Sequence, residues 1–221
     1  MRTDCSVYFL QRVEMRREDL YMKKQCIITI GREYGSGGHV IGKILADRLG
    51  LKFYDHNLLD EIAKEMQIDV KEFSDYDEHP SRYLFSRRVN GYSNSMEDIV
   101  AEWQFDYMKK CAEEGESFVI IGRCAEWILR DMDCKTSIFI LGDEKAKRKR
   151  LMDEYGYSKK DAKDSMVQVD KKRKSYHNRF CETKWGDSRG YDLCINSSKL
   201  GIEGTVDLIE AYIRRRDEQD R

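Results

Sequence analysis

The sequence has little of several features that mark particular classes of protein. It contains one proline and no apolar run near the roughly 20 residues needed to cross a membrane. Its 40 basic and 41 acidic residues leave a formal net charge of −1, so we expect no broad basic face for nucleic acid. The first 24 residues lack the long apolar core of a signal peptide. Together these absences predict a cytoplasmic protein that binds neither membranes nor nucleic acid.

The cysteines and histidines lack the spacing of a metal site or a disulfide framework. There are seven cysteines, an odd number, with no C-x-x-C pair, and the four histidines are scattered. We therefore expect reduced thiols, several of them on buried strands and helices. No residue is assigned as a metal ligand, because a zinc site requires clustered ligands.

What the sequence does contain is a glycine cluster between a strand pattern and a helix pattern, CIITIGREYGSGGHVIGKILADRL at residues 26–49. Successive N–H groups in such a turn, together with the start of the helix, form a binding site for phosphate. The alternative is a tight turn that binds nothing. The dinucleotide pattern G-x-G-x-x-G is not matched, because Val40 stands at its third glycine.

The loop also lacks the lysine of the nucleotide phosphate-loop pattern G-x-x-x-x-G-K-[ST]. When Gly37 is placed at the second glycine, Gly38 falls at the lysine, Arg32 at the first glycine and residues 39–40 at the hydroxyl. A cation would then come from Arg32 or from Lys43 on the following helix. Lys43 lies about 1.4 turns beyond Gly38 and would point along the helix, so Arg32 is preferred.

Apolar, β-branched segments alternate with amphipathic segments along the chain. We predict strands at 27–30, 52–54, 118–121, 137–141 and 193–195, and helices at 38–49, 57–66, 95–114, 143–154, 159–180 and 201–214. This alternation favours a parallel sheet with helices on both faces, which binds ligands at the carboxyl ends of its strands. We expect one domain at 25–215, preceded by an extension at 1–24 and followed by a charged tail at 216–221.

Three further candidates are charged side chains near predicted strand ends or on a basic helix. Arg123 follows a buried strand and would suit bidentate phosphate binding, or would pair with a carboxylate on the surface. Asp170 and Arg173 share a helix face within the basic segment 145–179, most of which is a solvated surface. Asp55 either caps the next helix or contacts a second nucleotide or the metal.

Taken in order, these segments resemble the cytidylate kinase-like P-loop proteins. The motifs are ITI with GSGG, FYD, VIIGR, the arginine-rich helix pair and YDLCINSS, spread from about Cys26 to Ile213. The resemblance implies a P-loop NTPase-type three-layer α/β/α fold with a central parallel sheet. It also implies a nucleoside-monophosphate-binding insert at about 55–95 and a helical lid at about 155–185.

The resemblance implies that ATP and Mg²⁺ are the cofactors and that the γ-phosphoryl group passes to a nucleoside monophosphate, with CMP as the first choice. Catalytic roles fall on Arg123, Asp170 and Arg173, with Arg32 added as the substitute cation, and acceptor binding falls on Asp55 and Arg123. The residues expected to bind ATP are Gly35, Ser36, Gly37, Gly38, His39, Asn196 and Ser197.

Two alternatives to a kinase stay open at this level. Because Gly38 replaces the lysine, the chain could be a nucleotide-binding regulatory protein with weak catalysis or none. The glycine loop could also bind another phosphorylated metabolite. The expected partners are small-molecule nucleotides. A homodimer is suggested by the N-terminal extension and by the aromatic residues Trp103, Phe105 and Tyr107, which would equally suit a core.

Overall fold

The computed structural model describes residues 24–55, 57–66, 88–89, 92–93 and 96–219. Nearly all of the predicted extension, much of the predicted insert and residues 220–221 lie outside these ranges. No helix within the described ranges is long and apolar enough to span a membrane.

Five parallel strands form the central sheet. They are β1 (Ile27–Arg32), β2 (Lys52–Tyr54), β5 (Phe118–Ile121), β6 (Lys135–Leu141) and β7 (Leu193–Asn196), in the spatial order β2-β5-β1-β6-β7. The central strand β1 pairs through Ile27 with Phe118 on one side and with Lys135 on the other. A separate antiparallel pair joins β3 (Arg88–Val89) to β4 (Tyr92–Ser93). The predicted parallel sheet is therefore confirmed.

Helices cover both faces of this sheet. They are α1 (Gly38–Leu49), α2 (Leu58–Met66), α3 (Met96–Glu113), α4 (Ala125–Ile128), α5 (Glu144–Tyr155), α6 (Lys159–Phe180) and α7 (Ser197–Gln219). Ile27 and Phe118 pack on one face with α2 and α3, whereas Ile28 and Val119 pack on the other with α1 and α7. Alternate residues of one strand thus serve two cores, which is why the strands are apolar throughout. The three-layer α/β/α prediction is confirmed.

The aromatic side chains of α3 belong to the core. Phe105 is buried, and Trp103 and Tyr107 pack against the same cluster. The rings of Tyr107 and Tyr54 meet edge to face. These three aromatic residues are therefore part of the core, which is one of the two roles that the sequence suggested for them. The homodimer stays a prediction that they do not support.

The closing helix α7 is longer than predicted. It starts at Ser197, bends at Gly201, where φ is 70°, and continues to Gln219, so most of the predicted tail is helical. Near its end, Arg216 donates hydrogen bonds to the carbonyls of Asp133 and Lys135 and to the Thr136 hydroxyl. These bonds fasten the end of α7 to the start of β6.

We expect Arg216→Ala to lower the free energy of unfolding by about 1–2 kcal/mol, because it removes charge-assisted hydrogen bonds to partly buried acceptors. Urea denaturation measures this loss. Arg215→Ala is the matched control, since Arg215 is exposed and pairs with its helical neighbour Glu218 on the surface. Equal stabilities of the two variants would contradict the fastening role of Arg216.

Candidate functional site

The glycine loop lies between β1 and α1, at the carboxyl edge of the sheet. Gly35 and Gly37 have φ values of 78° and 82°, a region that side chains other than glycine rarely adopt. No side chain caps the start of α1 at Gly37. The first N–H groups of this helix are therefore oriented to bind an anion.

Side chains from later elements hold the loop through its carbonyl groups. The Ser197 hydroxyl donates to the Ser36 carbonyl at 2.6 Å, and Arg150 donates to the Gly35 carbonyl at 2.9 Å. Ser36 itself is fully buried, and its hydroxyl donates to the Glu33 carbonyl at 2.8 Å. With its carbonyls bound in this way, the loop is preorganised.

Of the predicted strand-end pair, only Ser197 contacts the loop. The side-chain amide of Asn196 donates to Asp143 at 2.8 Å, while its oxygen accepts a bond from the Ser198 N–H at 3.0 Å. Asn196 therefore stabilises the start of α7 and its junction with the β6 end. Both residues therefore support the glycine loop and the elements next to it.

Arg32 occupies space that two glycines leave open. A Cβ atom added to Gly38 would lie 2.6 Å from the Cβ of Arg32, and one added to Gly122 would overlap the Arg32 guanidinium. Only one of positions 32 and 38 can therefore bear a side chain in this backbone. The alternative cation, Lys43, is exposed on α1.

The guanidinium of Arg32 lies in an electropositive setting. Burial lowers its pKa well below the usual value, and the charges of Arg173 and Arg123 lower it further, against Asp170 and Asp55. Its Nε is buried without a hydrogen-bond partner. Three guanidinium groups near two carboxylates leave an excess of positive charge, which a bound phosphate would neutralise.

Arg123 stands on an unusual turn after β5. Gly122, Arg123 and Cys124 all have positive φ values, of 75°, 59° and 57°. Such conformations cost of order 1 kcal/mol or more for residues other than glycine and are concentrated at functional sites. The turn places Arg123 on the wall of a cavity of about 420 Å³ that Arg32 and Arg173 also line.

Helix α6, the predicted lid, is docked on the loop through the two residues that the sequence singled out. Asp170 accepts a hydrogen bond from the Tyr34 N–H at 2.7 Å, and burial raises its pKa. Arg173 donates to the Arg32 carbonyl at 3.1 Å and lies over the Tyr34 ring. Asp170 therefore orients the loop, while Arg173 adds positive charge to the cavity.

Asp55 and His39 connect the end of β2 to the start of α1. His39 Nε2 lies 2.8 Å from Asp55 Oδ2, and the other carboxylate oxygen accepts a bond from the Asn57 N–H at 3.0 Å. The His39 side chain is half exposed and that of Asp55 is almost buried. Asp55 thus anchors the turn that leads into α2. Its carboxylate also faces the site, where its charge acts on Arg32.

Sequence reasoning missed two groups. Lys147 binds Glu33 at 2.8 Å and so braces the loop from α5. Glu126, His177 and Cys181 are buried together beside the cavity, although 55 residues separate the first from the last. No local spacing signalled this second group, because it forms only when α6 packs against α4.

We expect Gly37→Ala to weaken ATP binding strongly. Its Cβ would overlap Ile202 and lie 2.7 Å from the Arg150 guanidinium, on top of the cost of a positive φ. Gly50→Ala is the matched control, because Gly50 also has a positive φ but nothing within 4 Å. Calorimetry should show ATP affinity reduced roughly 10-fold or more in the first variant and unchanged in the second. Equal affinities would contradict the proposed crowding.

A parallel sheet with a glycine phosphate loop after its central strand, and arginines at the neighbouring strand end and on a docked helix, defines a kinase-type P-loop protein. The chain belongs to the cytidylate kinase-like family, whose model matches residues 27–199.

Similar proteins of known name or structure are consistent with this assignment. The chain is 28% identical over 191 residues to a cytidylate kinase from Methanococcus vannielii, covering 85% of this chain and 99% of that one. It is also 28% identical over 200 residues to a cytidylate kinase from Pyrococcus horikoshii, covering 88% and 92%.

Among solved structures, an uncharacterized protein from Eubacterium ventriosum is 42% identical with a TM-score of 0.68, covering 86% of this chain and 99% of that one. A shikimate kinase from Bacteroides thetaiotaomicron shares the fold at 16% identity and a TM-score of 0.50, with 86% and 98% covered.

Proposed function

We propose that this protein transfers the γ-phosphoryl group of ATP to a nucleoside monophosphate, with CMP as the first acceptor to test. The observation that carries the proposal is Arg32, whose side chain begins in the space beside Gly38 and places its guanidinium beside Gly122, at the cavity that Arg123 also lines. The similarity of the chain to cytidylate kinases supports the choice of CMP.

The proposed mechanism relies on position and charge and needs no protein nucleophile. The backbone N–H groups of residues 35–39 would hold the ATP phosphates, and the acceptor phosphate would lie at Arg123 in the cavity. Arg32, between the two, would stabilise charge that develops on the transferred group. The docked α6 would bring Arg173 close and exclude water, which limits hydrolysis of ATP.

The cavity suits a nucleotide-sized acceptor. Its volume of about 420 Å³ falls within the range of small-molecule sites. Its lining includes arginines, among them Arg32 and Arg123, and the aromatic residues Tyr176, Phe180 and Trp185. A bound nucleotide would place its phosphate at the arginines and its base beside the aromatic rings, so both kinds of lining residue would have a partner.

The residues at this edge fit a Mg²⁺ ion that arrives with ATP. Mg²⁺ prefers oxygen ligands and keeps several water molecules, and it needs only one or two carboxylates besides phosphate. Asp55 would hold it, because its carboxylate faces the site and its charge already acts on Arg32. The bound ion would neutralise phosphate charge. The hydroxyl of the usual motif is absent here, since residues 39–40 are His and Val.

The test is a panel of nucleoside monophosphates incubated with the protein and ATP–Mg²⁺, scored for ADP and for the diphosphate product. CMP should give both products in equal amounts, well above the ADP formed without acceptor. Product with another monophosphate alone would reassign the acceptor, and no product with any would refute the kinase proposal.

A regulatory, nucleotide-binding role is the second candidate, favoured by Gly38 at the lysine position. It predicts that ATP or CMP raises the melting temperature while no ADP is formed. Thermal-shift and kinase assays on one sample separate the two roles. Turnover with CMP would exclude the regulatory one.

A further inference from the structure

Four side chains with the chemistry of zinc ligands meet behind the Arg123 turn. Glu126, His177 and Cys181 offer ligand atoms that all lie within 4.8 Å of one another. The Cys124 thiol contacts that of Cys181. We refer to these four residues as the Cys-His cluster. Each of them is more than nine-tenths buried.

The cluster is built from two elements that pack against each other. Cys124 and Glu126 stand at the start of α4, directly after Arg123. His177 and Cys181 stand one helical turn apart at the end of α6, so both face the same side. The pair Cys124 and Glu126 on one element, with the spacing C-x-E, therefore faces the pair His177 and Cys181 on the other, with the spacing H-x₃-C.

The histidine ring contacts two of the other groups in the cluster. Its Nε2 lies 2.6 Å from the Glu126 carboxylate, while Nδ1 is buried without an oxygen or nitrogen partner. The Cys181 thiol also forms a hydrogen bond with the ring, so imidazole, carboxylate and thiol lie within reach of one ion.

We propose that the Cys-His cluster binds a Zn²⁺ ion. Thiolate, imidazole and carboxylate ligands together match zinc, which takes four such ligands at about 2.0–2.3 Å in a tetrahedron. Two thiolates and one carboxylate around Zn²⁺ carry a net charge of −1, which the charge of the neighbouring Arg123 would partly offset.

The ion would join the two segments that carry the site arginines. Arg123 immediately precedes Cys124, and Arg173 lies one turn before His177 on α6. A zinc ion between them would hold the lid helix against the β5 turn. This site is separate from the Mg²⁺ of ATP and does not depend on the proposed kinase activity.

The test measures zinc in the reduced full-length chain, purified without a histidine tag and free of nucleotide. After equilibration with ZnCl₂ and gel filtration, elemental analysis should find one zinc ion per chain. Cys181→Ser and His177→Gln should lower zinc affinity by at least 10- to 100-fold, roughly the loss produced by removing only an outer partner of a ligand. Cys194→Ser and His39→Ala are controls that should retain zinc, since Cys194 is exposed and His39 lies at the other site.

Cobalt substitution of the wild-type chain tests the ligand set without any variant that has to fold. Bound Co²⁺ should show tetrahedral d–d bands and a thiolate charge-transfer band. Absence of retained zinc in the wild type would overturn the proposal. So would cobalt binding without the sulfur band, or equal zinc affinity in folded Cys181→Ser, as judged by circular dichroism.

Discussion

Arg32→Ala should lower kcat for phosphoryl transfer by about 10³-fold or more, which is the contribution of an arginine that stabilises charge in a phosphoryl-transfer site. The Arg32 side chain is a cation that takes the space beside Gly38, the residue at the lysine position of the phosphate-loop pattern. Steady-state kinetics with ATP and the active monophosphate measure the loss. Arg32→Lys should retain part of the rate, since the charge is kept and the planar fork is lost.

A reciprocal exchange tests whether Arg32 stands in for the lysine. Gly38→Lys alone should be inactive or unstable, because the new Cβ would lie 2.6 Å from the Cβ of Arg32. Arg32→Gly removes that obstacle and restores the first glycine of the phosphate-loop pattern. The double variant Arg32→Gly/Gly38→Lys should therefore exceed Arg32→Gly in kcat by at least about 10-fold. A double variant no faster than Arg32→Gly would contradict the proposal that Arg32 takes the place of the lysine.

Arg123→Ala should reduce kcat/KM for the acceptor by about 10²–10³-fold, with a smaller effect on the KM for ATP. Arg123 lines the cavity from the end of β5, where a bidentate contact to the acceptor phosphate is available. Varying ATP and the monophosphate separately resolves the two effects. An effect confined to the KM for ATP would mean that Arg123 contacts ATP and not the acceptor, and would contradict the prediction.

Two companion variants separate function from folding at this turn. Arg130→Ala is the control, because Arg130 is exposed and contacts its chain neighbours Trp127 and Asp131. Arg123→Gly should be inactive yet at least as stable as the wild type, since glycine adopts φ near 59° without strain and the nearby positive charge is removed. Loss of stability in that variant would point to a structural role instead.

The fold could be predicted because its signals are local. The buried strand of residues 118–121 and the helices at 38–49 and 159–180 were predicted with the bounds found in the structure, from runs and periods of apolar residues. The end of α7 was missed because Arg216 draws a charged segment onto the carbonyls of residues 133 and 135, a long-range contact that local polarity conceals.

The candidate site divides in the same way. The sequence alone determined a phosphate loop without its lysine and named Arg32 and Arg123 as candidate residues. Only the tertiary structure decided that Gly38 and Gly122 make room for the one side chain of Arg32, because the end of β1 and the turn after β5 come together when these two strands pair. It alone also assembled the Cys-His cluster, since α6 returns to α4 after more than 40 intervening residues. Such contacts depend on packing between elements and leave no trace in the spacing of residues along the chain.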